Sequence, residues 1–444
     1  MRAKLSGLLP LFLLALSSQT AFGTNNVDAL VRDALSSKPA VSAAAIAELR
    51  SMGPAGMQSL VEANLAEIKR HIEDPTQGDS AEWLRLSAAL DAVSQQKDSY
   101  LSQLYWYTDF DAAKKAARES GKPILSLRLL GNLTDELSCA NSRFFRSTLY
   151  ANQYVATNLR DRFVLHWQSV RAVPRITIDF GDGRKLERTI TGNSIHYVLD
   201  TDGYPIDGLP GLYGPAAFLS RLGDAEQVFK QVRGKEDLVR KQLLAQYHRN
   251  RVTATSVEWF KDTAKIGGKI PEGMSLTQTN SGEALEVAPL AITKMVTEAT
   301  TLRAMMAATE SLGRVTDEAA WNQLAALHVE NARLDAATYG LIKKQTRTIF
   351  VSARSSVTPD VMFQNLIKKL ERNIALDTVR NEYLLHTRLH SWLAVSRGVE
   401  NVDVLNERVY AELFMTPRSD PWFGLLSPES YTGLDDGGVV SKNQ

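Results

Sequence analysis

Two constellations in this 444-residue chain carry side chains able to do chemistry. The first is Cys139-Ala140-Asn141-Ser142, built on the only cysteine. Phe144, Phe145, Thr148 and Leu149 follow at helical spacing, which predicts that the thiol sits at or near a helix N-terminus. The partial positive charge there stabilises a thiolate, and a thiolate can attack a disulfide sulfur. The second constellation is Glu382, His386 and His390, spaced by four so that all project within about one quarter of a helical wheel. Two such histidines and a carboxylate can share a zinc ion. No HExxH pattern is present, however, and Tyr383, Leu385, Leu389 and Trp392 describe an ordinary packed helix, so no metal and no other cofactor is expected.

Elements that would position the thiol are readable around it. Lys122-Pro123 opens an apolar run from Ile124 to Leu130 whose length and composition suit a strand buried on both faces. A polar loop then leads to Cys139. Arg128 lies inside the run, where a charge needs a partner. It either leans toward Cys139 and favours the thiolate or forms a structural ion pair, which is the commoner role of a buried arginine.

Strand, loop, Cys-x-x-Ser and helix resemble the core of a thioredoxin-like domain in which Ser142 stands for the second cysteine of Cys-x-x-Cys. Upstream, the aromatic stretch Tyr105 to Phe110 and the amphipathic DAAKKAARES resemble the entry to extracytoplasmic members of that family. Downstream, Phe163 to Trp167 reads as the next strand. Ile195 to Leu222 reads as a closing hairpin, turning at Asp202-Gly203, and a helix. The resemblance implies candidate site residues Cys139, Ser142, Ser194 and Arg128. Ser194 falls where thioredoxins place the cis-proline that faces the thiol, if the closing strand is Ile195 to Leu199. A competing alignment puts Pro174 there, with Asp182-Gly183 as the hairpin turn. Ser194 is preferred because GLYGPAAFLSRL follows it as the terminal helix, leaving Pro174 to Thr191 as an inserted hairpin in place of the usual middle helix.

Without a resolving cysteine, a mixed disulfide on Cys139 must be released by an external thiol. The expected function is therefore a thioredoxin-like scaffold, non-catalytic or weakly redox-active, that binds a protein or peptide partner. The alternative is a monothiol thiol-disulfide oxidoreductase using Cys139.

The remaining chain supplies context. Met1-Arg2-Ala3-Lys4, the leucine-rich run to Leu16 and small residues before Thr24 read as a signal peptide over 1–23, which predicts a periplasmic or secreted product with no membrane segment after its removal. With 51 basic and 50 acidic side chains there is no global field to attract nucleic acid. A lone cysteine excludes a disulfide framework.

The pattern predicts a helical region over 24–104, including a helical hairpin broken at Gly53-Pro54 that resembles one HEAT-type unit. The thioredoxin-like domain spans 105–222, a helical extension 223–266, a linker 267–284 and a C-terminal helical domain 285–444. Within the last, Thr358-Pro359 predicts one helix start, Asp377 a second, and Gly398 an end. The Phe414 to Leu434 tail is predicted to wrap over this domain and bury Trp422 and Phe423, with the last residues frayed. The fold class expected is α+β: a central thioredoxin-like α/β/α sandwich flanked by N-terminal helical hairpins and a C-terminal all-α domain.

Overall fold

A computed structural model describes residues 24–75, 78–190, 192–268, 312–352, 357–395, 401–423, 425–426, 433–434 and 438–439. The expected signal peptide, nearly all of the expected linker and Gly398 lie outside them. The architecture is mixed α+β. Helices α1 (Thr24–Ala34), α2 (Pro39–Ser51), α3 (Pro54–Ala63), α4 (Leu65–Glu73), α5 (Ala81–Ser94) and α6 (Ser99–Ser102) precede the first strand. The break between α2 and α3 falls at Gly53, whose φ of 69° is open to glycine without strain. Leu49, Met57, Leu60, Ile68, Trp83 and Leu90 build a core of their own beneath these helices.

Helix α7 (Phe110–Ser120) starts on Asp109, whose carboxylate accepts from the Ala112 amide at 2.6 Å, and ends on Gly121 in the left-handed region. The chain then enters β1 (Ile124–Leu130), fully buried along its length as its apolar run predicts. Short helix α8 (Ala140–Phe144) continues into a π-helical turn, Phe145–Leu149, and is followed by α9 (Gln153–Arg162). The remaining strands are β2 (Val164–Arg171), β3 (Arg175–Asp179), β4 (Lys185–Thr189), β5 (Ser194–Leu199) and β6 (Pro205–Pro210).

The main sheet has the order β2-β1-β5-β6. β1 runs parallel to β2 and antiparallel to β5, with Leu127 opposite both Trp167 and His196. β5 and β6 form an antiparallel hairpin turning at Gly203, where φ is 93°. Among the described residues β3 and β4 pair only with each other, as a separate hairpin. Pro174 precedes that hairpin, and among the described residues no peptide bond is cis. No strand among the described residues follows Pro210.

Helix α10 (Pro215–Val232) runs ten residues past the expected boundary at Leu222. It is followed by α11 (Asp237–Lys265) and by helices Leu312–Val315, Glu318–Leu327 and Ala336–Ser352. Asp377 does not start a helix. It lies within helix Pro359–Arg380, which continues through a π-helical turn at Asn381–His386 into helix Thr387–Val395. The local reason is Thr378, whose hydroxyl bonds back to the Ile374 carbonyl at 2.7 Å and also receives the Gly214 amide at 2.8 Å. Helical continuity therefore satisfies groups that a break would orphan. Helix Val402–Arg408 runs into a third π-helical turn, Val409–Leu413.

These C-terminal helices share one continuous apolar core with the sheet, joining Leu127, Phe145 and Leu209 to Ile374, Leu389, Leu405 and Val409. The expected burial of the tail holds for Phe423 and not for Trp422, which is 46% exposed. The reason is that the tail docks on the end of β2. The Arg171 guanidinium lies 3.4 Å from the Phe423 ring centroid and also donates to the Asp420 and Thr416 carbonyls. No described helix is long and apolar enough to cross a membrane.

Candidate functional site

Cys139 is the N-cap of α8, where the sequence places it, and its Sγ accepts from the Ser142 amide at 3.4 Å. Ser142 completes the turn by donating its hydroxyl to the Cys139 carbonyl at 3.0 Å. Both side chains have no solvent exposure. The thiol is a capping acceptor in the apolar core, packed in the cluster that also holds Phe145, Tyr150 and Tyr410. Arg143, in the same short helix, donates to the Thr189 hydroxyl at 2.9 Å.

The far end of the chain is fastened beside this region. The Tyr410 hydroxyl donates to the Asn193 carbonyl at 3.1 Å, and Asn193 in turn donates to the Thr416 hydroxyl at 3.0 Å. The residue before Ser194 is thus fastened to the C-terminal segment. Ser194 is itself buried, its hydroxyl without a partner, and its carbonyl accepts from the Gly211 amide at 2.8 Å.

Arg128 is paired with Asp403. Its Nη2 lies 3.0 Å from Asp403 Oδ1, an ion-pair contact without hydrogen-bond alignment, and its guanidinium stands 5.7 Å from the Phe110 ring centroid. Two neighbouring histidines are also neutral core residues. His166 Nδ1 pairs with the Ser126 hydroxyl at 2.8 Å, and His196 Nε2 with the Tyr150 hydroxyl at 2.6 Å. Burial pulls both down to about 3, with the Arg128 charge adding to the effect on His166.

A second site forms where β6, α11 and the helix through the Asn381–His386 turn meet. Asp207 is fully buried in β6, and its Oδ1 is 3.0 Å from His386 Nε2 and 3.6 Å from His390 Nδ1. His248, from the middle of α11, brings its Nδ1 to 2.9 Å from His390 Nδ1. His386 Nδ1 lies 2.9 Å from Glu382 Oε2. Glu382 also accepts from Arg221 at 3.1 Å, Arg251 at 2.9 Å and Tyr213 at 3.3 Å. The Tyr247 hydroxyl donates to Asp207 Oδ2 at 2.6 Å, and the Gly208 amide to Oδ1 at 2.8 Å.

Electrostatics follow from this geometry. Burial alone would keep His386 neutral, but the Asp207 and Glu382 carboxylates on its two nitrogens push it up to about 10. Burial would likewise raise Glu382, and His386 with Arg221 holds it down at about 2. Burial depresses His248 to about 4 and holds His390 well below the usual histidine value.

The helical spacing of Glu382, His386 and His390 thus does bring them together. Asp207 and His248 were missed. Asp207 sits in PIDGLPG, which reads as strand and turn, and His248 sits in a charged helical stretch, each more than 130 residues from its partner on the Glu382–His390 helix. One signal was available: an aspartate in the middle of a strand that is buried at every position. No family model, curated protein or solved structure matches the chain.

Proposed function

We propose that the chain is an exported thioredoxin-like scaffold that binds a protein or peptide partner and does not use Cys139 as a redox centre. Support for the family reading is the sheet order β2-β1-β5-β6 with a thiol N-cap after the central strand, and a hairpin where the usual middle helix would be. The observation that carries the non-redox reading is the complete burial of Cys139, with its sulfur engaged as a cap and Tyr410 packed in the cluster around it. Thiol exchange requires an in-line approach of a second sulfur to the first, which this packing leaves no room for.

Binding is assigned to the β3–β4 hairpin. It is largely solvent-exposed, and Ile178 and Phe180 near its tip are 43% and 55% exposed. Among the described residues neither strand pairs with a third strand along its outer edge, the template that an extended peptide adds to.

Two experiments test this reading. Ser142→Cys rebuilds a Cys-x-x-Cys sequence; the variant is expected to show no insulin reduction with dithiothreitol above the wild-type background. Turnover by the variant would favour the monothiol alternative and overturn the proposal. Peptides selected by display on the wild-type protein should bind the Ile178→Asp, Phe180→Asp variant at least about tenfold more weakly, a loss of about 1.4 kcal/mol. Unchanged binding would remove the hairpin from the account.

A further inference from the structure

We propose that Asp207, His248, His386 and His390 hold one first-row divalent cation of the zinc class, which ties β6 to α11 and to the helix through His390. This runs against the expectation from the sequence that the chain takes no metal, and it is independent of the thiol reading.

Three of the chain's seven histidines converge on one buried aspartate. Donor atoms of Asp207, His386 and His390 lie within 4.8 Å of one another. Four ligands at about 2.0–2.1 Å from a tetrahedral ion stand roughly 3.3 Å apart. The separations from Asp207, 3.0 Å to His386 and 3.6 Å to His390, straddle that edge length; His248 stands outside the mutual 4.8 Å set, 2.9 Å from His390, and would have to move toward the centre to become the fourth ligand.

Supporting contacts have the form that metal ligands require. An imidazole that binds a metal through one nitrogen gives its other N–H to a carboxylate or backbone carbonyl. His386 meets the Glu382 carboxylate in this way, and His248 bonds the Ile206 backbone. With those two protons placed, and with the proton between His386 Nε2 and Asp207 released to solvent as the ion enters, His386 Nε2 and His248 Nδ1 both present lone pairs to the centre. Asp207 is held by Tyr247 on its other oxygen. Without an ion the His248 and His390 Nδ1 atoms at 2.9 Å share one proton as a hydrogen bond, which leaves the buried His390 Nε2 without a partner, and a cation between the two Nδ1 atoms would take that proton's place.

Three imidazoles and one carboxylate, with no thiolate, suit zinc or a neighbouring transition ion rather than calcium or magnesium, which take oxygen sets. With His248 drawn onto the ion beside His390, four protein ligands in a buried site would leave no open position, which makes the ion structural.

The test uses untagged full-length protein stripped with a chelator and then titrated with Co²⁺ alone and, separately, Zn²⁺ alone. The expected results are visible d–d absorption saturating at one Co²⁺ per chain, its displacement by one Zn²⁺, and a melting temperature that rises with free Zn²⁺. Glu382→Gln should weaken Zn²⁺ binding by about 10–100-fold while leaving the stoichiometry at one. His390→Gln should abolish the spectrum, and His71→Gln, which lies outside the cluster, should preserve it. Should the cluster variants fail to fold, the wild-type titration decides alone. Stripped wild-type protein that develops no Co²⁺ spectrum and melts at the same temperature in excess Zn²⁺ would overturn the proposal, leaving an imidazolium held between two carboxylates.

Discussion

Acidification should unfold this protein through two histidines that no site uses. His166 and His196 are buried, and burial holds each at about 3 in the native state against an ordinary value of 6.5. Because the native-state values are depressed, the unfolded chain binds protons that the native chain does not. Their stability contribution is thus complete above pH 6.5 and is lost as the pH falls toward 3. At pH 5 each histidine contributes a loss of about 2 kcal/mol, and the pair about 4 kcal/mol, from 2.303RT log(1 + 10^1.5) per group. That is a large share of a typical folding free energy of about 5–15 kcal/mol. The perturbation is His166→Gln with His196→Gln, which removes both titrations. Urea unfolding at pH 7, 6 and 5 gives the slope of stability against pH for wild type and variant. The wild-type slope should exceed the variant's by about 2.4 kcal/mol per pH unit between pH 6 and 5, the linkage of nearly two protons. Equal slopes, or NMR titration showing either ring protonated in native protein at pH 5, would refute the reasoning.

Three further outcomes follow from particular contacts. Asp403→Asn should destabilise the protein by about 1–3 kcal/mol, less than a fully buried pair because Asp403 itself is 63% exposed, as read by chemical denaturation. Arg128→Met in that background should recover part of the loss. Gly56→Ala should cost about 1–3 kcal/mol and lower the melting temperature, since a Cβ there would stand 1.9 Å from the Leu49 carbonyl oxygen. Tyr410→Ala removes a large side chain from the core that holds Cys139 and its bond to the Asn193 carbonyl, so native-state reaction of Cys139 with dithionitrobenzoate should become faster while the far-UV circular dichroism is retained.

The sequence made the sheet legible and left its covering obscure. Ile124–Leu130 reads as a buried strand because seven residues of local composition suffice to identify it, and Gly203 marks its hairpin because only a positive φ closes that turn. Local pattern also places Cys139 as an N-cap. What local pattern cannot carry is which distant segment packs above the cap. Tyr410 reaches Asn193 across 217 positions, and Asp403 reaches Arg128 across most of the chain. The same limit hid Asp207 and His248 from the Glu382, His386 and His390 helix, although each of those two is conspicuous for its burial once the strand and helix are placed. Asp377 misled because aspartate before a helical run reads as a cap, whereas here Thr378 carries the helix onward.

The closed thiol is the central claim, and its most direct test is the rate at which iodoacetamide alkylates Cys139 in the native protein relative to the protein in denaturant. The account predicts native alkylation slower by at least about 1,000-fold, the factor imposed by an opening free energy of about 4 kcal/mol, and a rate that rises in step with unfolding as urea is added. Native and denatured rates within about tenfold of each other would contradict it and return Cys139 to the role of an accessible nucleophile.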